Sequence, residues 1–207
     1  MSGSEVVHVV DDDAAFRSAL VRWLHAAGFE VAAFDSGAEL LAHVSRECRG
    51  CVLADLQMPA PNGLELQQAL AEQGVSMPFV FLTGHGDLRS AVCALKKGAV
   101  DFLEKCAPRD MLFRAIHRAF EQDTSARVAR EREEQLRSRF AALTPREGEV
   151  LTRVIRGKMN KQIAAELQIH ERTVKLHRTA ITSKVGVRSV AELTSLAHQA
   201  RFPGCQV

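Results

Sequence analysis

The strongest constraint on this chain is an alternation in its first half. Short apolar, β-branched runs at 6–10, 31–34, 51–54, 79–82 and 100–103 are separated by stretches whose apolar residues recur at helical spacing. The first such stretch carries Phe16, Leu20, Trp23 and Leu24 and closes at Gly28; others cover 38–44, 64–72 and 88–97, and a last one begins near Arg109. Ser36 followed by Glu39 has the spacing of a capping box. Five strands alternating with five helices form βαβ units, and therefore a parallel sheet covered on both faces. The expected fold is a five-stranded doubly wound α/β domain. Such sheets bind ligands at the carboxyl ends of their strands. Asp11 and Asp12 end the first run, Asp55 the third and Thr83 the fourth, while Lys105 follows the fifth.

The second half reads differently. Residues 121–139 are rich in Arg, Glu, Gln and Ala and lack Pro and Gly, which predicts an exposed helical linker that continues the fifth helix of the first domain and carries surface pairs such as Glu133–Arg137. Its apolar positions, Val128, Leu136 and the adjoining Phe140, are too sparse for a coiled coil. From Leu143 every segment is helical. Thr144-Pro145-Arg146-Glu147 supplies a cap, a proline at the first position and a capping-box glutamate, and Gly157 stops that helix. Asn160 is expected to cap a short helix bearing Ile163, Ala164 and Leu167. A turn at Gln168-Ile169-His170 leads to a third helix over 171–185, and a fourth runs from Ser189 to about Ala200. The expected division is thus 1–120, 121–139 and 140–207.

Charge follows the same division. Residues 1–120 carry 11 Lys/Arg against 15 Asp/Glu, whereas residues 140–207 carry 11 against 5. Only the tail is suited to a polyanion. Hydrophobic residues at 46% and charged residues at 25% exclude disordered, collagen-like and disulfide-scaffold chains. The longest charge-free run, 73–86, is too short to span a bilayer and contains Pro78 and His85, so no membrane partner is expected. No secretory signal is visible at the N-terminus. An odd count of five cysteines then predicts reduced thiols and a cytoplasmic location. Cys48 and Cys51 have CxxC spacing but no second pair; Cys93, Cys106 and Cys205 are isolated.

Carboxylates gathered at one sheet edge repel unless a cation or proton joins them. A magnesium ion suits oxygen ligands of this kind and keeps waters for a phosphate. An aspartate beside it can attack phosphorus, with Lys105 and Thr83 contacting the phosphoryl oxygens. A simpler reading of Asp11-Asp12-Asp13 is negative charge complementing the start of a helix.

Val9-Val10-Asp11-Asp12-Asp13, Asp55-Leu56-Gln57-Met58-Pro59 with Gly63, Thr83-Gly84-His85-Gly86-Asp87 and Gly98-Ala99-Val100-Asp101-Phe102-Leu103-Glu104-Lys105 resemble the receiver domain of two-component response regulators. The likeness is to the FixJ group, with its styrene- and toluene-response regulators, and spans the first domain. The resemblance implies a flavodoxin-like receiver in which Asp55 is the phosphoacceptor. Asp12 would be a direct magnesium ligand, Asp11 would act partly through water, and the Gln57 backbone carbonyl would complete the protein ligands. Thr83 and Phe102 would be the switch pair. One position departs from the family: Cys106 replaces a proline that is joined to the lysine by a cis bond. A non-proline cis bond costs about 3 kcal/mol, so this loop is expected either to be trans and reshaped or to be strained.

Leu143-Thr144-Pro145-Arg146-Glu147, Asn160-Lys161-Gln162-Ile163-Ala164, Thr173-Val174-Lys175-Leu176-His177 and Lys184–Ser189 resemble a LuxR/NarL-type helix-turn-helix and cover the tail. The helical wheel of 171–185 agrees. Val174, Ile181 and Val185 share a core face, opposite Arg172, Leu176, Thr179 and Ser183, with Lys175 at the edge of that outer stripe. In a major groove Lys175 could donate to guanine, and Leu176 and Thr179 could meet thymine methyls. Lys158, Lys161, Lys184 and Arg188 read as phosphate contacts. Asn160 and His177 complete the DNA-facing set, His177 also fitting a structural role. Two departures stand in the turn: Gln168 where glycine is usual, and His170 in place of a Ser/Thr cap.

The resemblances together imply a transcription regulator rather than a conventional enzyme. A sensor histidine kinase would phosphorylate Asp55, and homodimers would pair through the fourth helix, fifth strand and fifth helix. These would bind double-stranded promoter DNA and engage RNA polymerase. Two alternatives differ. An aspartyl-phosphate hydrolase requires a second Asp where Gln57 stands, and a DNA-binding regulator could act without phosphate if Cys106 displaces Lys105.

Overall fold

The computed structural model describes residues 5–84 and 88–203, which form two compact units divided between Ala126 and Arg127. The first contains β1 (Val6–Val10), α1 (Ala14–Ala26), β2 (Glu30–Phe34), α2 (Gly37–His43), β3 (Gly50–Asp55), α3 (Gly63–Glu72), β4 (Phe79–Thr83), α4 (Leu88–Lys96) and β5 (Asp101–Glu104). The helix α5 (Arg109–Ala141) starts in this unit and continues past the division. His85, Gly86, Asp87 and Cys205 lie outside the described residues.

All five strands are parallel, in the order β2-β1-β3-β4-β5. The alternation of strands and helices thus forms the expected doubly wound sheet. Side chains of successive strand residues point to opposite faces. Val7, Val9, Cys51, Leu53, Val80 and Leu82 pack with Leu20 and Leu24 of α1 and Leu112 and Ile116 of α5. Val10, Val52, Ala54, Phe79 and Phe81 face the other side, against Leu40 of α2, Leu66 and Leu70 of α3 and Ala94 of α4. Connections leave in opposite directions from the adjacent strands β1 and β3, and that switch point opens a crevice at their carboxyl ends.

The exposed helix expected over 121–139 as a continuation of the fifth helix lies within α5, and its two ends are built into the units. Asp123 is buried, with Oδ2 accepting from the Gly50 amide at 3.1 Å at the head of β3. Leu136 and Phe140 are buried in the second core. Between them Val128 is 60% exposed, as a solvated helix surface requires.

The second unit adds α6 (Pro145–Ile155), α7 (Asn160–Leu167), α8 (Glu171–Val185) and α9 (Val190–Gln199). Its core joins Val150, Leu151 and Val154 to Ile163, Leu167, Val174, Ile181, Val185 and Leu193. The capping box at α6 forms as expected: Thr144 Oγ1 accepts from the Glu147 amide at 3.3 Å, and Glu147 Oε2 accepts from the Thr144 amide at 2.7 Å. Asn160 is not the cap of α7. Met159 occupies that position, its amide donating to Gln162 Oε1 at 2.8 Å, and Asn160 is the first helical residue. Gln168 adopts the left-handed conformation (φ 53°, ψ 46°) that glycine would take without steric cost, and His170 starts α8 without a side-chain capping bond.

Cys48, Cys51, Cys93 and Cys106 are free thiols. Cys51 is fully buried, and burial pushes its thiol well above the ordinary range, which makes it inert.

Candidate functional site

The crevice is built from three strand ends. Asp11, Asp12 and Asp55 bring carboxylate oxygens within 4.8 Å of one another, Asp11 and Asp55 buried and Asp12 exposed. The adjacent triple-aspartate run divides its work. Asp13 caps α1, its Oδ1 accepting from the amides of Ala15 at 2.9 Å and Phe16 at 3.1 Å, and those bonds hold its carboxyl below the usual range. The helix-start reading of the run is therefore correct for Asp13. Asp11 turns inward, where burial raises its carboxyl and Lys105 only partly offsets the shift.

Lys105 sits between the two buried acids, its Nζ 2.7 Å from Asp11 Oδ2 and 2.7 Å from Asp55 Oδ2. Burial alone would lower its ammonium. The two carboxylates overcome that and hold it above its ordinary value. Asp55 Oδ1 accepts from the Gln57 amide at 3.0 Å, which fixes the carboxylate in the turn that brings Gln57 to the crevice. The Lys105–Cys106 bond is trans, and the loop is held by the Lys105 amide donating to the Thr83 carbonyl at 2.8 Å. Replacement of the family's proline has not displaced Lys105 from the acids. Thr83 is fully buried at the end of β4, and Phe102 of β5 is half-buried against the core on the α2–α4 side.

Two neighbours of the crevice went unmarked in the sequence. Arg17 donates to the Asp11 carbonyl, and the Phe16 ring stands 4.5 Å from the Lys105 ammonium. Both follow Asp13 in the first turn of α1, and only their position after the acidic run could have drawn attention to them.

The second unit presents α8. Arg172, Lys175, Leu176, Thr179 and Ser183 are exposed, Leu176 at 64%, while Val174, Ile181 and Val185 are buried. His177 is half-buried between the two stripes. The basic residues around this helix are not equally available. Lys161 and Arg188 are exposed. Lys158 pairs with Glu166, and Lys184 pairs with Glu147 Oε2 at 2.7 Å. Asn160 Oδ1 accepts from Arg178 Nη1 at 3.0 Å, a contact between α7 and α8 that the sequence did not reveal.

A doubly wound domain with three carboxylates and a lysine at its switch point, joined to a helix-turn-helix unit, defines a receiver coupled to a DNA-binding module. Residues 7–117 match the response regulator receiver domain, and residues 141–197 match the LuxR family of bacterial regulatory proteins. The chain is 39% identical to the transcriptional regulatory protein FixJ of Bradyrhizobium diazoefficiens, across 94% of this chain and 95% of that protein. It is 38% identical to the response regulator protein TodT of Pseudomonas putida, across 95% of this chain and 86% of that protein. Among solved structures it is similar to the response regulator StyR, with 44% identity, a TM-score of 0.84 and coverage of 95% of this chain and 100% of that one. The chain belongs to the FixJ/NarL-type response regulators. It is a transcription regulator with a LuxR-type DNA-binding domain, not a conventional enzyme. No helix of the described residues is long and apolar enough to cross a membrane.

Proposed function

We propose that Asp55 accepts a phosphoryl group from a sensor histidine kinase in the cytoplasm, and that this modification promotes homodimer binding to double-stranded promoter DNA and engagement of RNA polymerase. The observation that carries this reading is the placement of Lys105 Nζ at 2.7 Å from the buried Asp55, with two further carboxylates in reach. The oxygen-only donor set fits magnesium: Asp11, Asp12, Asp55 and the Gln57 backbone carbonyl would hold it. When bound, it supplies positive charge for the phosphoryl oxygens.

An Asp55 oxygen forms the new bond to phosphorus. The bond from phosphorus to the kinase's histidine nitrogen breaks with its electron pair staying on the ring, which leaves as imidazole after taking a proton. Lys105 and the Thr83 hydroxyl neutralise and hydrogen-bond the transferred oxygens. Thr83 and Phe102 would relay the change, Thr83 lying one strand position beyond Leu82, which pairs with Leu103 next to Phe102. Support for pairing comes from α4, whose Val92 and Leu95 are 43% and 48% exposed. In the second unit Lys175, Leu176, Thr179 and Arg172 would read bases. Lys161 and Arg188 would lie along the phosphates, joined by Lys158 and Lys184 once these exchange Glu166 and Glu147 for DNA, and Asn160 and His177 would complete the DNA-facing set.

The test is incubation with acetyl phosphate and Mg2+, followed by intact-mass and DNA-binding measurements. The wild-type protein should gain one phosphoryl group and bind a two-half-site duplex more tightly, and Asp55→Asn should do neither. An Asp55→Asn protein that binds and activates as well as the phosphorylated wild type would establish phosphate-independent regulation instead.

A further inference from the structure

We infer that Phe16 is a positioning residue for Lys105, its ring holding the ammonium over the acidic crevice in a loop that lacks the family's proline. The inference rests on Asp55 being the phosphoacceptor. Lysine is a point charge on a flexible four-carbon stem, so its location depends on what surrounds the ammonium. Here two acceptors, Asp11 Oδ2 and Asp55 Oδ2, lie at 2.7 Å, and the Phe16 ring centroid lies at 4.5 Å. A cation at that distance is attracted by the negative ring face, and more strongly when partly shielded from water. The Lys105 side chain is 20% exposed.

The ring is itself fixed. The Phe16 amide donates to Asp13 Oδ1 at 3.1 Å, and its side chain packs, half-buried, against the core that contains Leu20 and Leu24. Ala107, two residues after Lys105, packs against the same core. One strand-to-helix turn therefore delivers Asp11, Asp12 and the ring together. The ring also differs from the two acids in a way that bears on the chemistry. Carboxylates engaged by a cation or a phosphoryl group have less charge to offer Lys105, whereas the ring face keeps its attraction.

The experiment uses the full chain with Phe16→Leu, which keeps an apolar side chain, and Phe16→Tyr, which keeps the ring. In metal-free protein, Lys105 acetylation by acetic anhydride is followed by peptide mass spectrometry; with Mg2+, the rate of phosphorylation by acetyl phosphate is followed by intact mass. Phe16→Leu should raise Lys105 labelling about threefold and lower the phosphorylation rate about fivefold, with less than about a twofold change in half-saturating Mg2+. Phe16→Tyr should recover at least about half of the wild-type rate and protection. Unchanged labelling and rate in Phe16→Leu would overturn the inference. So would a Phe16→Tyr as impaired as Phe16→Leu, because a ring face at this position would then not hold the ammonium. A wild-type chain that gains no phosphoryl group at Asp55 refutes the phosphoacceptor reading, and the metal-free labelling still decides whether the ring holds Lys105.

Discussion

At the ends of β1 and β3 the charged groups are driven together, whereas along α8 they are spread apart. In the crevice, Asp11 and Asp55 are 1% and 5% exposed and share one lysine. That arrangement favours a bound cation, because like negative charges are held at close range with little water between them. Around α8 the charges face solvent, and part of the basic excess is already engaged: Lys184 with Glu147, and Lys158 and Arg153 with Glu166. Burial makes a small number of charges chemically specific in the first unit. In the second, the count of basic residues overstates what is free to meet a polyanion.

The contrast is broken most severely at Lys105. Lys105→Ala should slow phosphorylation by acetyl phosphate about a hundredfold, by loss of a preorganised charge, while leaving the DNA affinity of the unphosphorylated protein unchanged. A variant phosphorylated within about threefold of wild type would show that the acids and the metal suffice. At the outward surface, Lys175→Ala should cost about tenfold in affinity for the preferred duplex and relax its sequence preference. By comparison, Lys161→Ala should weaken binding evenly across sequences and reduce the salt slope by about one; both are read by fluorescence anisotropy at several salt concentrations.

The internal bridges provide a smaller effect with a pH signature. Lys184 holds the Glu147 carboxyl below its ordinary value, aided by the Thr144 amide. The unfolded chain therefore binds more protons than the folded one between the ordinary and lowered values. The bridge's contribution is fully present above the ordinary carboxylate range and is lost as pH falls through the lowered value. Lys184 is more than a third exposed, so solvent screening limits Lys184→Met to about 1 kcal/mol, seen as a lower urea midpoint of the second unit near neutrality and a shallower loss on acidification. Smallest is Gln168→Gly, which relieves a left-handed backbone at φ 53° and should stabilise the second unit by about 0.5 kcal/mol, read as a higher urea midpoint.

The crevice was largely legible in the amino-acid order, because a parallel sheet sends the end of every strand to the same edge. Asp11, Asp12, Asp55, Thr83 and Lys105 follow from that geometry once the strands are recognised. What differed were features that depend on contacts across long separations. Asp123 was read as linker surface, yet it is buried against Gly50, 73 positions earlier. Leu136 was one of a few apolar positions too sparse for a coiled coil, and it is core because α6–α9 supply its neighbours. Asn160 had the chemistry of a helix cap, but Met159 and Gln162 took that position and left its oxygen to Arg178.

The order of residues alone determined the doubly wound sheet, the helix-turn-helix and the edge at which the acids meet, since hydrophobic periodicity and turn chemistry act locally and repeat along the chain. Tertiary structure decided which of three adjacent aspartates turns inward, that Lys105 reaches both buried acids through a trans bond, that Phe16 stands beneath its ammonium, and which lysines are tied to glutamates. Those outcomes depend on burial and on distances between remote segments, and no local pattern encodes either.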